Sequence, residues 1–154
     1  MDTIAPARRS ALMSRIRGKN TKPELAVRRS AHALGYRFRL HRRDLPGSPD
    51  LVFPRLRKVI FVHGCFWHRH QGCKHAYVPK SNADFWANKF DSNIKRDALA
   101  LQALHVLGWK TLVIWECELS DESILSSRIN AFLAERVEKN KQRGDQHGSR
   151  PRIA

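Results

Sequence analysis

Acidic residues are scarce in this chain. Asp and Glu number 14 against 29 Lys and Arg over 154 residues, a formal net charge of +15. So large a basic excess on so short a chain points to a polyanionic partner, either nucleic acid or an acidic membrane surface. Cysteine is scarcer still: Cys65, Cys73 and Cys117 are the only three. An odd, low count argues against a disulfide framework and suits a reducing cytosol. Long apolar runs are missing. Nothing approaches the roughly 18–20 residues of a membrane span, and Met1-Asp2-Thr3-Ile4-Ala5-Pro6 lacks the apolar stretch of a secretion signal. The basic residues form no amphipathic anchor, which sets a membrane surface behind nucleic acid. There is no internal repeat. At 42% apolar residues the chain is too hydrophobic to be wholly disordered. Its length suits one domain with a real core. A soluble cytosolic protein is expected.

Several elements are legible. Residues 1–20 are basic, with Arg8, Arg9, Arg15, Arg17 and Lys19 against one acid, Asp2. A short helix over Ala7–Ile16 and an arm that lies on DNA phosphates compete with a solvated segment. Thr21-Lys22-Pro23-Glu24 has the form of a capping box. It predicts a helix to Leu34, with Val27, Ala31 and Leu34 on one face and Gly35 as its stop. Tyr36-Arg37-Phe38-Arg39-Leu40 alternates as a half-buried strand does. Turn chemistry over residues 45–49 precedes a short strand, Asp50 to Phe53. Lys58 to His63 is a buried strand and Thr111 to Trp115 another. Between them, Ser81 or Asn82 caps a long helix whose stripe is Ile94, Ala98, Leu101 and Leu104, ended by Gly108. Ser120 caps a last helix through Ile124, Ile129, Phe132 and Leu133. From Lys139 a Gly-, Gln- and Arg-rich tail is expected to be disordered.

The chain is thus a mixed α/β domain. The strand at 58–63, the long helix and the strand at 110–116 have the lengths of a βαβ crossover. Parallel strands joined by a helix end at one edge of the sheet. Cys65 and Cys117 each lie just past such an end, so neighbouring strands bring the two thiols together. Cys73 and one histidine of the loop at 68–75 complete a tetrahedral set. Thiolate and imidazole donors suit a structural Zn²⁺ that pins a loop without its own core. Three unrelated cysteines among surface histidines are the alternative.

Asp50 opens a strand after Pro46-Gly47-Ser48-Pro49. A carboxylate beside a hairpin suits Mg²⁺ in a nuclease, where the metal neutralises phosphate and polarises water. Val62 lacks a ligating side chain but offers its backbone carbonyl. His63 and His68 are candidates for general base, general acid or phosphate ligand. A turn-capping role for Asp50 and a capping role for Glu24 remain open at this level. Phe66 and Trp67, with Trp86 nearby, read either as core or as a wedge that unstacks a duplex.

Three stretches carry a resemblance. Pro46-Gly47-Ser48-Pro49-Asp50, Val59-Ile60-Phe61-Val62-His63-Gly64-Cys65-Phe66-Trp67-His68 and Trp115-Glu116-Cys117 resemble the very short patch repair (Vsr) mismatch endonucleases. The likeness covers about residues 10–135. It implies a restriction-endonuclease-like fold related to the PD-(D/E)xK nucleases, with a mixed sheet flanked by helices. It implies an endonuclease that nicks 5′ of the thymine in T:G mismatches left by deamination of 5-methylcytosine. Asp50 is then the Mg²⁺ ligand, with the Val62 carbonyl beside it. His68 relays protons for the attacking water, His63 sits beside metal and phosphate, and Glu24 orders the site. Cys65, His70, Cys73 and Cys117 hold Zn²⁺. Phe66, Trp67 and Trp86 form the intercalating wedge, and Arg15, Arg17 and Lys19 belong to the DNA-embracing arm. Two positions depart from the pattern. Valine stands at 62 where threonine is usual, and two residues rather than one separate His70 from Cys73, leaving His68 and His75 as alternative ligands.

The expected organisation is a basic arm at 1–20, an endonuclease domain at 21–138 and a tail at 139–154. The partner is double-stranded DNA with a T:G mismatch. A monomer is expected, because one mismatch has no two-fold symmetry to mirror. Other mismatch-repair proteins are candidate partners, and the bacterial cytosol is the expected location. The alternatives are a Mg²⁺-dependent nuclease with another DNA target and a non-catalytic zinc-stapled DNA-binding module.

Overall fold

A computed structural model describes residues 21–135. The arm residues Arg15, Arg17 and Lys19, the helix expected over Ala7–Ile16 and the tail from Lys139 lie outside the described residues. Within them the elements are α1 (Lys22–Ala33), β1 (Arg39–Leu40), β2 (Leu51–Phe53), β3 (Lys58–His63), α2 (Ala83–Val106), β4 (Lys110–Trp115), a 3₁₀ turn (Glu116–Ser120) and α3 (Glu122–Ala134). The strands form one mixed sheet in the order β1-β2-β3-β4. β1 and β2 pair antiparallel, as do β2 and β3, while β3 and β4 run parallel. The expected βαβ crossover therefore joins neighbouring strands.

The sheet is buried on both faces, which explains the near-continuous apolar runs. Side chains alternate across it. Leu51, Phe53, Ile60 and Ile114 meet Val27 and Ala31 of α1 and Leu125, Ile129 and Leu133 of α3. Val52, Val59 and Phe61 face the other way, onto Leu104 of α2 and Trp109. Two layers of helix thus enclose the sheet. Lys58 opens β3 yet is 1% exposed. Its Nζ donates to the carbonyls of Phe132 (2.6 Å), Leu133 (3.2 Å) and Glu135, and so supplies donors to the otherwise unpaired C-terminal carbonyls of α3.

Several local expectations shift. The Thr21 side chain does accept from the Glu24 N–H, at 3.4 Å, at the start of α1. The strand expected from Tyr36 pairs only over Arg39–Leu40, although Tyr36 and Phe38 still turn inward onto Phe53. Asn82 occupies the N-cap of α2 but with a left-handed backbone and no capping bond from its side chain. Asp121, not Ser120, caps α3, accepting from Ser123 and Ile124 N–H, because the 3₁₀ turn takes up Ser120. Ile124 is exposed and Leu125 is buried in its place. On α2 the inward stripe is Trp86, Phe90, Asn93, Asp97, Leu101 and Leu104, so Ile94 and Ala98 point outward.

The turn before β2 packs closely against α2. Gly47 has φ of +74°, and a Cβ there would stand 2.7 Å from the Ala100 Cβ. Both the left-handed backbone and the contact reject a side chain. Gly47→Ala is expected to cost roughly 1–3 kcal/mol of stability, read as a lower midpoint in urea denaturation. An unchanged midpoint would mean that the turn and helix separate freely.

Candidate active site and metal cluster

β2, β3 and the N-terminal half of α1 meet at one mouth. The residues there line a cavity of about 890 Å³ whose walls include Glu24, Asp50, His63, His68, Asn93 and Asp97. Asp50 immediately precedes β2, and its Oδ2 accepts the Val62 N–H at 2.6 Å. Glu24 is 3% exposed. Its Oε2 accepts from Arg28 Nη2 at 3.1 Å, one helical turn along. One ligand atom each from Glu24, Asp50 and His41 lie within 4.8 Å of one another. Burial, and secondly the facing Glu24 charge, push the Asp50 carboxyl up to about 7 against the opposing pull of the Val62 N–H. A buried carboxylate pair of this kind fits a divalent cation, which would offset the mutual repulsion.

The histidines face this pair. His63 ends β3 and is 6% exposed. Its ring stacks on His68, with centroids 3.8 Å apart and planes 6° from parallel. Burial, then the His68 charge, lower the His63 pKa to about 4. His68 Nδ1 lies 2.7 Å from Asp97 Oδ2. A carboxylate only accepts, so Nδ1 carries a proton in this contact, and in the neutral tautomer the lone pair lies on Nε2. Asp97 was not singled out from the sequence. The signal was there: Asn93 and Asp97 interrupt an apolar stripe at helical spacing, and both face the cavity.

These shifts give stability a pH dependence with opposing parts. The folded Asp50 pKa exceeds its ordinary 3.8, so its contribution is complete at low pH and is lost as pH rises through about 7. The folded His63 pKa of about 4 lies below its ordinary 6.5, so its contribution grows as pH rises across that interval. Without added divalent cation, the two slopes should largely cancel between about pH 4 and 6.5. In Asp50→Asn the His63 slope stands alone, and urea midpoints should climb over the same interval. Midpoints that fall there in the variant would contradict the His63 assignment.

A second cluster lies past the same sheet edge. Ligand atoms of Cys65, His70, Cys73 and Cys117 all fall within 4.8 Å of one another. His70 Nδ1 is 3.3 Å from the Cys117 sulfur and 3.7 Å from that of Cys65. His68 and His75 are not in the set. The extra residue between His70 and Cys73 is absorbed by Gly72, at φ of +72°. Burial pushes the Cys65 thiol up to about 12, whereas a backbone hydrogen bond at His75 lowers that of Cys73. Three sulfurs and one imidazole are donors for a soft or borderline metal ion. Arg69 closes the surrounding loop from within. It donates to the carbonyls of Phe66, Ala76 and Tyr77 and lies 3.8 Å over the Phe90 ring. Its role has no local sequence signal.

The three wedge candidates gather in one aromatic group. Phe66 is at its centre, with Trp67, Tyr77, Phe90 and Trp86 rings at 5.0, 5.1, 5.3 and 5.5 Å. Phe66 and Trp67 are half-buried on the cavity wall. Trp86 is buried beneath them at 7% exposure, beside an exposed Phe85.

Comparison with known proteins gives this geometry a context. A family model described as "DNA mismatch endonuclease Vsr" matches residues 1–75. The type II nicking enzyme V.XorIIP of Xanthomonas oryzae pv. oryzae is 52% identical over 132 residues, covering 86% of this chain and 96% of that protein. The type II nicking enzyme V.NmeAIP of Neisseria meningitidis is 39% identical over 134 residues, 87% of this chain and 95% of the relative. The DNA mismatch endonuclease Vsr of Escherichia coli is 38% identical over 138 residues, with 90% and 86% covered.

Proposed function

The chain belongs to the Vsr family of DNA mismatch endonucleases, and from that premise we propose that it nicks the thymine-bearing strand of T:G mismatches, 5′ of the thymine, in a Mg²⁺-dependent hydrolysis. The observation that carries the reading is the convergence of Asp50, Glu24, His63 and His68 on one cavity beside the Phe66 aromatic group. A divalent cation held by Asp50 and the Val62 carbonyl supplies charge neutralisation and a polarised water. His68, oriented by Asp97, takes the proton from the attacking water at its free Nε2. His63 stands beside the scissile phosphate; with its pKa lowered to about 4 the ring is neutral at pH 7, so one N–H can donate to a phosphate oxygen and no positive charge opposes the cation. Glu24 orders the site from α1.

The rest of the molecule supports that act. Phe66 and Trp67 present the wedge, and the buried Trp86 supports it from beneath. A mismatched step unstacks at lower cost than a paired one, so insertion there selects it. Arg15, Arg17 and Lys19 supply positive charge for contacts to DNA phosphates. Zn²⁺ at Cys65, His70, Cys73 and Cys117 is structural, holding the loop that carries His68 and the wedge. Residues 21–138 are the endonuclease domain, of restriction-endonuclease-like fold, and act as a monomer in the bacterial cytosol. No helix among the described residues is long and apolar enough to cross a membrane.

Several relatives are named type II nicking enzymes rather than mismatch endonucleases. That favours a second reading, nicking at another DNA target with the same catalytic group. A strand-labelled nicking assay separates the two. The first reading expects a Mg²⁺-dependent nick on the thymine strand of a T:G duplex alone. Cutting of matched and mismatched duplex alike supports the second. Tight binding with no cut on any duplex overturns both.

A further inference from the structure

His41 faces the same cavity residues and has no part in the scheme above. The sheet register puts it there. Arg39 pairs with Val52 and Leu40 with Leu51, so one step further His41 stands opposite Asp50. The backbone leaves the strand at that residue with φ of 51°. One His41 nitrogen, one Glu24 oxygen and one Asp50 oxygen then lie within 4.8 Å of each other.

We propose that His41 supplies a nitrogen donor to the divalent-cation site of this chain, beside Asp50 and Glu24, and that Arg28 keeps that place until the cation arrives. The inference rests on the metal-dependent reading of the site given above. Arg28 Nη2 is 3.0 Å from His41 Nε2 and 3.1 Å from Glu24 Oε2. A guanidinium only donates, so His41 Nε2 must present its lone pair. That lone pair is what a metal ligand must offer. A positively charged N–H thus stands where two of the three donor atoms converge, as a stand-in for a cation. Arg28 is one helical turn from Glu24 on α1, so the two side chains meet on one face of the helix. An imidazole among carboxylates shifts preference from Ca²⁺, which takes oxygen ligands, toward Mn²⁺ and its heavier neighbours.

The test is spectroscopic. Full-length protein, given one equivalent of Zn²⁺ to fill the thiolate cluster, is titrated with Mn²⁺ and examined by pulsed EPR. Directly bound imidazole should give ¹⁴N coupling that survives His63→Gln and disappears in His41→Gln and His41→Asn. Mn²⁺ affinity should fall roughly tenfold in the His41 variants, with Ca²⁺ affinity less affected. Wild-type protein that binds Mn²⁺ without ¹⁴N coupling overturns the proposal, whatever the variants do. So does coupling that persists in the His41 variants, or an equal loss of Mn²⁺ and Ca²⁺. Mg²⁺-dependent nicking by the wild type, measured alongside, tests the parent reading separately. Nicking that is present while ¹⁴N coupling is absent removes His41 alone.

Discussion

Asp50→Asn is expected to be inactive and yet more stable than the native chain at neutral pH. Nicking should drop by at least roughly 10³-fold, the scale set by removing a principal charge-stabilising group from a reaction site. The fold should gain for the same reason the activity is lost. Asp50 is partly withdrawn from water and faces Glu24, which together hold its carboxyl near 7. Asparagine keeps an oxygen for the Val62 N–H, now 2.6 Å from Asp50 Oδ2, and removes the charge. The trade of stability for function is common where like charges are gathered for catalysis. Denaturation midpoints and nicking rates measured on the same preparations check both halves. An active Asp50→Asn would remove this residue from the reaction. An inactive but destabilised variant would place it in the architecture instead. Asp97→Asn should be milder, a loss of roughly 10²-fold, because in the proposed reaction it acts only through the orientation of His68.

Cys117→Ser should be the most damaging change outside the cavity. The segment from Gly64 to Lys80 contains no helix or strand. It is organised by the four-residue cluster, by Arg69 and by the aromatic group around Phe66. A structural metal contributes folding free energy directly, on the order of several kcal/mol or more. Losing one of three sulfurs should therefore release the loop while the two layers packed on the sheet persist. The expected result is rapid proteolytic cleavage between residues 64 and 80 with helix content largely retained. A chelator should reproduce it in the native chain, with Zn²⁺ restoring protection. Protection unchanged by chelator and by Cys117→Ser would mean that no metal holds the loop.

Much of this architecture was legible. β3 read correctly from Lys58 to His63 because a strand buried on both faces is apolar throughout and cannot be mistaken for an amphipathic one. The thiol cluster followed from chain geometry. Once β3 and β4 are parallel neighbours, Cys65 and Cys117 leave the sheet at the same edge. What failed did so where polar function overrides hydropathy. The stripe of α2 was displaced by one residue because Ile94 and Ala98 are apolar while Asn93 and Asp97 are not. The cavity, not the core, takes that face, and Asp97 was missed with it. Arg69 and His41 were invisible for another reason. Their partners lie across a closed loop and across a strand register, so no local period marks them. The cap of α3 was misplaced by one residue because Ser120 and Asp121 are both good caps, and only the 3₁₀ turn decides between them.

Trp115 has a consequence for how such a chain can diverge. Its indole stacks on His70 at 4.3 Å, with planes 11° apart, and meets His63 edge-on at 5.2 Å. One side chain is therefore wall to the thiol cluster and to the histidine pair at once. Substitutions on the two sides share a partner, so their effects cannot be independent. A descendant cannot exchange the cluster for a different staple one residue at a time. It would have to rebuild the position of His63 in the same steps, and each intermediate would be a poorer enzyme. Through Trp115 the cluster's hold on its loop and the geometry of the histidine pair are thus one coupled constraint.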